Sequence, residues 1–511
     1  MIYELLLMLY VLGTLLGLWL LFKKAGLAPW KAFVPFWNIW LWVRLCGKKW
    51  PWFLAFLVPG INIFIFLLTI VETARVMRRT NFWEQTFGVL LPCVYLPIVG
   101  LRGGIVYHDP RTDPPAKVSE TRDWSEAILF ALIAAVLIRA FSFELFSIPS
   151  SSMEKSLLVG DHLLVSKMAY GPRVIQTPLA LPLMHNLIVG TNIKSYLDWP
   201  HLPYHRFPGY THVKRYDAVV FNFPAGDTIL KAFPGGQVTY YDAVRACGRQ
   251  AVLDGTALYE GMPLGGIDVR PVDKREHYIK RCIGLPGETL QIIDQQLFIN
   301  GSPLPFPEET QFMHMVVFAA GVNPMGHLDE CGVSREDIER SSPHNDAYGN
   351  TVLFVPLSDA IVRSLQSRAS VLEVQRQIYP ADSSLALFPN DPRFPWSVDN
   401  YGPIHIPAKG ELLQLSLDKL PLYRRLITAY EGNSLEVRNG KIIINGNETT
   451  SYRIKQDYYW MMGDNRHCSQ DSRFWGFVPE DHIAGKAKCV LFSSDKDHGG
   501  LRKGRFFKSI R

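Results

Sequence analysis

The sequence predicts two kinds of structure in one chain: an α-helical, membrane-spanning N-terminal part, and a mainly antiparallel β domain interrupted by a large mixed α/β insertion. Three observations carry this. Leu5 to Phe22 and Trp52 to Val71 are charge-free, each running about 20 residues, enough to cross roughly 30 Å of hydrocarbon. Beyond Ile148 the pattern changes to short alternating apolar runs bounded by Gly, Pro, Asn and Asp, as in "DAVVFNFP", "HYIKRCIG" and "TLQIIDQQLFING", which is the period of half-buried strands. Finally, Thr289 to Gly301 aligns without gaps to Ser434 to Gly446, each ending in Asn-Gly, a pair that favours tight hairpins. These matching β-elements flank the insertion.

In chain order, residues 1–101 are expected to form a multi-span membrane region. The N-terminal run begins without Lys or Arg and is followed by Lys23 and Lys24, the pattern of an anchor rather than a cleaved leader. That lysine pair puts the N-terminus outside and the next loop in the cytoplasm. Pro59-Gly60 interrupts the second run, and a third, Thr86 to Leu101, is broken by Pro92 and Pro97; neighbours can satisfy the freed backbone groups of such helices. Arg75, Arg78 and Arg79 would lie outside if both later runs crossed fully, so two readings of residues 30–101 stay open: re-entrant segments, or arginines at an interface. Residues 102–124, with Arg102, Arg111, Lys117 and Arg122, read as a cytoplasmic linker, and residues 125–147 as an anchoring helix that exits on the far side.

The β-rich domain is expected over 148–301 and 434–498, and the insertion over 302–433. Within the insertion, "SLDKLPLYRRLITAYEGN" predicts a helix capped by Ser416, with Tyr423, Leu426, Ile427 and Tyr430 on one face and a stop at Gly432. Residues 173–213 form an irregular, His- and Pro-rich excursion. The basic tail, 499–511, suits either headgroup contact or a solvated end.

A 511-residue chain implies several domains. Its net charge of +6 is modest and its basic residues are scattered, which argues against a nucleic-acid partner and favours lipid headgroups. Seven cysteines without a C-x-x-C pair speak against zinc or a disulfide-dense scaffold; an isolated bridge stays open in an oxidising compartment. His201 and His205 have i, i+4 spacing, but Pro200 and Pro203 oppose the helix that a metal pair requires. No metal or cofactor is expected.

Three segments carry chemistry. Ser152 follows Pro149 and precedes Met153, just past the expected anchoring helix. It is either part of a solvated turn or a nucleophile, and a serine hydroxyl needs an adjacent base. No G-x-S-x-G elbow is present, and no histidine lies in a triad context. Lys280 has Tyr278 and Cys282, neither a carboxylate, as same-face strand neighbours. It is either an exposed strand lysine or a base. As a base at neutral pH its pKa would have to fall about 3 units, at a cost of roughly 4 kcal/mol supplied by desolvation. "GDNRHCSQDSRFWGFVPEDHIAGKA", from Gly463, packs Asp, Asn, Arg and Ser before an aromatic pair, as either an ion-paired hairpin or a polar network at a β-core.

Taken together, these segments resemble the bacterial type I signal peptidases, membrane-bound serine proteases with a Ser/Lys dyad. "IPSSSM", "RYDAVVFNFP", "YIKRCIGLPGE" and "GDNRHCSQDSRFWG" match that family's motifs in order, and "IRAFSFELF" puts Arg139 and Glu144 in its Arg and Glu positions. The resemblance implies Ser152 as nucleophile and Lys280 as general base. Ser150 would complete an oxyanion hole with the Ser152 backbone N–H, and Ser469 would orient the lysine amine. Met153 would shape the cleft; Arg281, Asp464, Arg466, Asp471, Ser472 and Arg473 would form the supporting network. It also implies exported preproteins with signal peptides as substrates. The location implied is the bacterial cytoplasmic (inner) membrane, multi-pass, with the catalytic domain on the extracytoplasmic side. Three positions depart from the family pattern: Ser151 for Gly, Glu288 for Asp, and His467-Cys468 for a polar pair. A self-cleaving Ser/Lys regulator would bring a DNA-binding module instead of spans. A membrane-tethered binding domain would have no use for the Ser152 and Lys280 pair.

Overall fold

The structure is a computed structural model that describes residues 2–57, 61–113, 120–188, 190–191, 193–235, 238–381, 387–495 and 499–510. The chain divides into two compact units, Met1–Glu144 with Leu181–Leu183, and Leu145–Ala180 with Met184–Arg511.

The first unit is helical. Its helices are Ile2–Lys24, Trp37–Leu45, Trp50–Phe56, Ile61–Val76, Phe82–Leu90, Pro92–Leu101 and Glu120–Phe141. Among the described residues, no helix is long and apolar enough to cross a membrane. The expected break at Pro59-Gly60 and the linker's Lys117 lie outside the described residues, as does the side chain of Arg122. Pro92, which lacks a backbone donor, starts a new helix at its first turn, so the third apolar run is two short helices. The N-terminal helix packs on Pro92–Leu101 through glycines: a Cβ on Gly13 or Gly17 would overlap Cys93 or Leu96, and one on Gly100 would overlap Leu20. Small residues four apart allow this backbone approach. Inside, Trp42 Nε1 donates to Thr73 Oγ1 at 2.8 Å and Trp52 Nε1 to Thr69 Oγ1 at 3.0 Å. The awkward arginines have partners: Arg75 pairs with Glu72 (3.3 Å), Arg78 with Asp113 (2.5 Å) and Arg79 with Glu84 (3.0 Å).

The helix expected over 125–147 departs from those bounds. It starts at Glu120 and ends at Phe141, and Phe143–Ser147 is a strand. Strand pairing with Asp161–Ser166 satisfies the backbone there, so the apolar character of 143–147 belongs to a sheet.

The second unit is mainly β. Its eight-stranded sheet runs Phe143–Ser147, Asp161–Ser166, Ile483–Ser493, Ala218–Asn222, His277–Gly284, Tyr458–Met462 and Val478–Pro479, with Lys508–Ser509 added to Ile483–Ser493. The central pairings are antiparallel, with Val219 opposite Lys280 and Met462 opposite Arg281. The repeated segments fold alike. Thr289–Ile293 pairs with Gln296–Ile299, and Leu435–Arg438 with Lys441–Ile444, both antiparallel. Asn300-Gly301 and Asn445-Gly446 turn each chain into one further short strand with positive φ at both residues (50° and 79°, 49° and 82°), as a type I′ turn requires.

Residues 302–433 form a mixed α/β segment. Its sheet orders His344–Asn345, Thr351–Leu357, Phe312–Phe318 and Val371–Arg376, and the helices Pro324–Glu330, Arg335–Arg340 and Asp359–Gln366 close a core around Val316, Leu353 and Leu365. The helix expected from Ser416 begins at Leu420, with Pro421 at its first turn; Ser416 still caps the turn that leads into it, its Oγ accepting from Lys419 N at 3.3 Å and its carbonyl from Leu420 N at 2.9 Å. Leu426–Tyr430 continues it as a π-helix. Tyr423, Leu426 and Ile427 are buried on the β-body, the Tyr423 ring stacked 6.0 Å from Phe477.

The C-terminal segment is not a free basic arm. Arg505 pairs with the buried Asp161 at 2.5 Å, and Arg502 with Asp495 at 3.2 Å. Cys46, Cys93, Cys247, Cys282, Cys331, Cys468 and Cys489 are all free thiols.

Candidate active site

Residues Ser151–Met153 form a single 3₁₀ turn, entered from an extended Ser150 (φ −136°, ψ 157°). The sequence dictates this shape: Pro149 cannot continue a helix, while the Ile148 N–H donates to Asp161 O at 2.9 Å and Gly160 N to Ile148 O at 3.0 Å, tying the turn's root to the sheet. Met153 and Leu157 are buried beneath it. Arg505 donates to Ser156 O (3.1 Å) and Arg281 to Ser156 Oγ (3.2 Å), holding the exit.

Strand pairing delivers Lys280 from the centre of the sheet. Its Nζ stands 2.7 Å from Ser152 Oγ and 3.1 Å from Ile279 O. The residue is 4% exposed, and the centre of the Tyr278 ring lies 5.6 Å from Nζ. Among the described residues no carboxylate touches the amine, in keeping with the same-face neighbours read from the strand. Burial therefore pulls its pKa down from 10.5 to about 8, partly offset by the more distant Asp471 and Asp464 charges. Desolvation wins because a charged amine loses more in hydration than two non-contacting carboxylates return.

Ser152 and Lys280 open onto a cleft of about 800 Å³, whose wall includes Ser150, Met153, Ser469, Tyr278, Ile148 and Phe146. Ser150 is exposed at the cleft's edge. Ser469 is buried on the wall, and its hydroxyl has no hydrogen-bond partner among the described residues. It does not bond to Lys280 in this arrangement. It lies close to the turn, however: a Cβ on Gly463 would come within 2.5 Å of both Ser152 O and Ser469 Cβ, so glycine is required there.

The supporting residues are brought together behind the cleft. Arg281 forks onto Asp464 (2.6 Å), both nearly unexposed, and Asp471 pairs with Arg473 at 2.8 Å. Asp471 also caps the helix Ser472–Trp475, and Ser472 Oγ accepts from Met461 N at 2.9 Å. Arg473 Nη2 donates to the carbonyl of Arg466, whose guanidinium lies 5.4 Å from the centre of the Phe306 ring. In the first unit, Arg139 pairs with Glu144 at 2.6 Å.

Sequence reasoning missed three contributors. Asn465 N donates to Ser152 O at 3.2 Å and its side chain to Ser151 O at 3.3 Å; its place between Asp464 and Arg466 was the available signal. Gln311, in the insertion, donates its N–H to Asp464 O and accepts from Arg466 N, both at 2.9 Å. His467 accepts from Met313 N and pairs with Asp399 at 3.0 Å, so the departure at His467 fastens the insertion to the loop at 463–473. His201 and His205 lie on irregular chain with no helix to bring them together, and among the described residues no cluster could hold a metal ion.

Comparison with known proteins agrees with this layout. The profile of the family "Signal peptidase, peptidase S26" matches residues 121–330 and 447–492, about half of the chain, and that of a family of unknown function, DUF5684, matches residues 30–110. The chain is 24% identical over 398 residues to signal peptidase I of Haemophilus influenzae, covering 77% of each chain. It is 22% identical over 386 residues to that of Buchnera aphidicola subsp. Acyrthosiphon pisum (75% of this chain, 80% of the relative). A third relative, "Probable signal peptidase I-1" of Synechocystis, is 29% identical over 159 residues (27% and 80%).

Proposed function

The chain belongs to the signal peptidase family, peptidase S26, and from that premise we propose that this serine endopeptidase removes signal peptides from exported preproteins through a Ser152/Lys280 dyad. The observation that carries the reading is the 2.7 Å approach of a desolvated Lys280 amine to the Ser152 hydroxyl at the wall of the cleft.

Neutral Lys280 takes the Ser152 proton as Oγ attacks the scissile carbonyl carbon. The carbonyl oxygen gains the negative charge, which the Ser152 backbone N–H and the Ser150 hydroxyl stabilise from the cleft edge. The C–N bond then breaks, and the Lys280 ammonium returns its proton to the leaving amine. A water deprotonated by Lys280 attacks the acyl-enzyme ester, releasing the carboxylate and restoring the Ser152 hydroxyl. Asn465, Gly463 and the Arg281–Asp464 and Arg473–Asp471 pairs keep the turn and the lysine strand in register.

The enzyme is further proposed to be membrane-bound, its cleft on the extracytoplasmic side of the bacterial cytoplasmic membrane. Supporting this is the N-terminal helix, where Leu5, Leu6, Met8, Leu9, Val11, Leu12 and Leu16 are all about half exposed, an apolar stripe that water does not favour. A signal peptide's apolar core sits in the bilayer, so its cleavage site emerges where such an anchored cleft would meet it.

The test is cleavage of a purified preprotein by the full chain in detergent. Ser152→Ala and Lys280→Ala are each expected to abolish cleavage while leaving preprotein binding intact. Retained cleavage by either variant overturns the dyad.

A further inference from the structure

Ser151 directly precedes the candidate nucleophile, and its side chain is fully buried inside the turn. A buried hydroxyl needs a partner. Among the described residues it has one, and that partner comes from the insertion: Arg340 Nη1 donates to Ser151 Oγ at 3.2 Å. Arg340 is the last residue of the helix Arg335–Arg340, its other nitrogen paired with Glu336 one turn back. It also lines the same cleft as Ser152 and Lys280.

The rest of that helix is seated on the same turn. Lys155 donates to Gly332 O just before it. Asp337, capped by Ser334 Oγ, faces Asn465 Nδ2 at 3.5 Å, and that same amide donates to Ser151 O. Both the backbone and the side chain of Ser151 are thus held by groups that the insertion supplies or orients.

We infer that Arg340 is a positioning residue for the nucleophile, making the insertion a working part of the active site: it holds the turn that aims Ser152 through the hydroxyl at position 151. The inference rests on the Ser152/Lys280 reading. Ser151 and Arg340 then form a dependent pair. Removing Arg340 alone strands a buried hydroxyl and loosens the turn, whereas removing the hydroxyl as well takes away the need for it.

The experiment measures kcat and KM for preprotein cleavage by the full chain in detergent, for Arg340→Ala, Arg340→Lys, Ser151→Gly and the Ser151→Gly/Arg340→Ala double variant. Misaiming a nucleophile by under an ångström costs roughly 10- to 100-fold, so Arg340→Ala is expected to lose about that much in kcat with KM within about twofold. Arg340→Lys, which keeps a donor, should recover part of the loss. The double variant should exceed Arg340→Ala and return to the level of Ser151→Gly alone, a rescue that general damage to the fold would not give. A wild-type kcat in Arg340→Ala, a change in KM alone, or a double variant no better than Arg340→Ala would overturn the inference. If the unaltered chain fails to cleave, or Ser152→Ala cleaves, it is the dyad reading that has failed.

Discussion

Lys280 reaches Ser152 from the middle of a sheet, with its amine 2.7 Å from the hydroxyl and, among the described residues, no carboxylate in contact. Its proton affinity is thereby set by burial, and burial can be tested by titration, by stability and by substitution.

The first expectation concerns the pH profile. Only the neutral amine accepts the serine proton, so kcat/KM should rise about tenfold per pH unit at low pH and level off near pH 8, the lowered pKa of Lys280. Steady-state cleavage from pH 5 to 10 reads it. A limb that levels off only above pH 10 would mean an ordinary solvated lysine.

The same depression has a stability cost. A lysine whose folded pKa of about 8 lies below its ordinary 10.5 binds its proton less well folded than unfolded. The penalty is full below about pH 8 and fades as pH rises towards 10.5. Lys280→Met should remove it, stabilising the inactive chain at pH 7 by about 3 kcal/mol, with little gain near pH 10.5. Denaturant melts at the two pH values give the comparison; equal melts at pH 7 would contradict it.

Glu154 behaves in the opposite sense. It follows Met153 in the turn, is 3% exposed, and its pKa is raised from 4.5 to about 7 by desolvation, with Asp337 adding to the effect. A folded carboxyl that holds its proton more tightly than the unfolded one loses stability as pH climbs from 4.5 through 7, and stays penalised above. Glu154→Gln should therefore match the parent near pH 4 and exceed it at pH 8 by about 3 kcal/mol. A Glu154→Gln chain no more stable than the parent at pH 8 would refute this.

Asp464 is a case where one partner cannot be lost alone. Asp464→Asn removes the carboxylate that Arg281, 3% exposed, is forked onto, and breaking such a buried pair costs about 3–5 kcal/mol. Thermal melts should show a large drop, and activity should fall because the strand bearing Arg281 also bears Lys280. Replacing both with apolar residues should be milder in the melt; an equal or larger loss would count against the pair as the cause.

Much of the β-body was legible because short apolar runs bounded by Gly, Pro, Asn and Asp mark its strands, although the central ones are buried on both faces rather than alternating. His277–Gly284 spans the quoted "HYIKRCIG", and both Asn-Gly turns fold as hairpins. Ser152 and Lys280 stood out through motif order. What was hidden depends on tertiary pairing. Nothing local marks Gln311 as the backbone partner of Asp464 and Arg466, or Arg340 as the partner of Ser151, since these contacts join residues more than a hundred positions apart. The end of the helix expected over 125–147 was misplaced for the same reason: an apolar run such as 143–147 suits helix or strand, and the neighbouring strand Asp161–Ser166 decides.

The bridge that Gln311 makes to both sides of Asn465 bears on how long and short relatives can exchange parts. Those two peptide groups lie in a buried stretch, so any chain without the excursion at 302–433 must quench them by some other route. Swapping the segment 463–473 between such chains would therefore carry an unfilled vacancy along with it, and a chimaera that also transplants Gln311 should outperform one that does not.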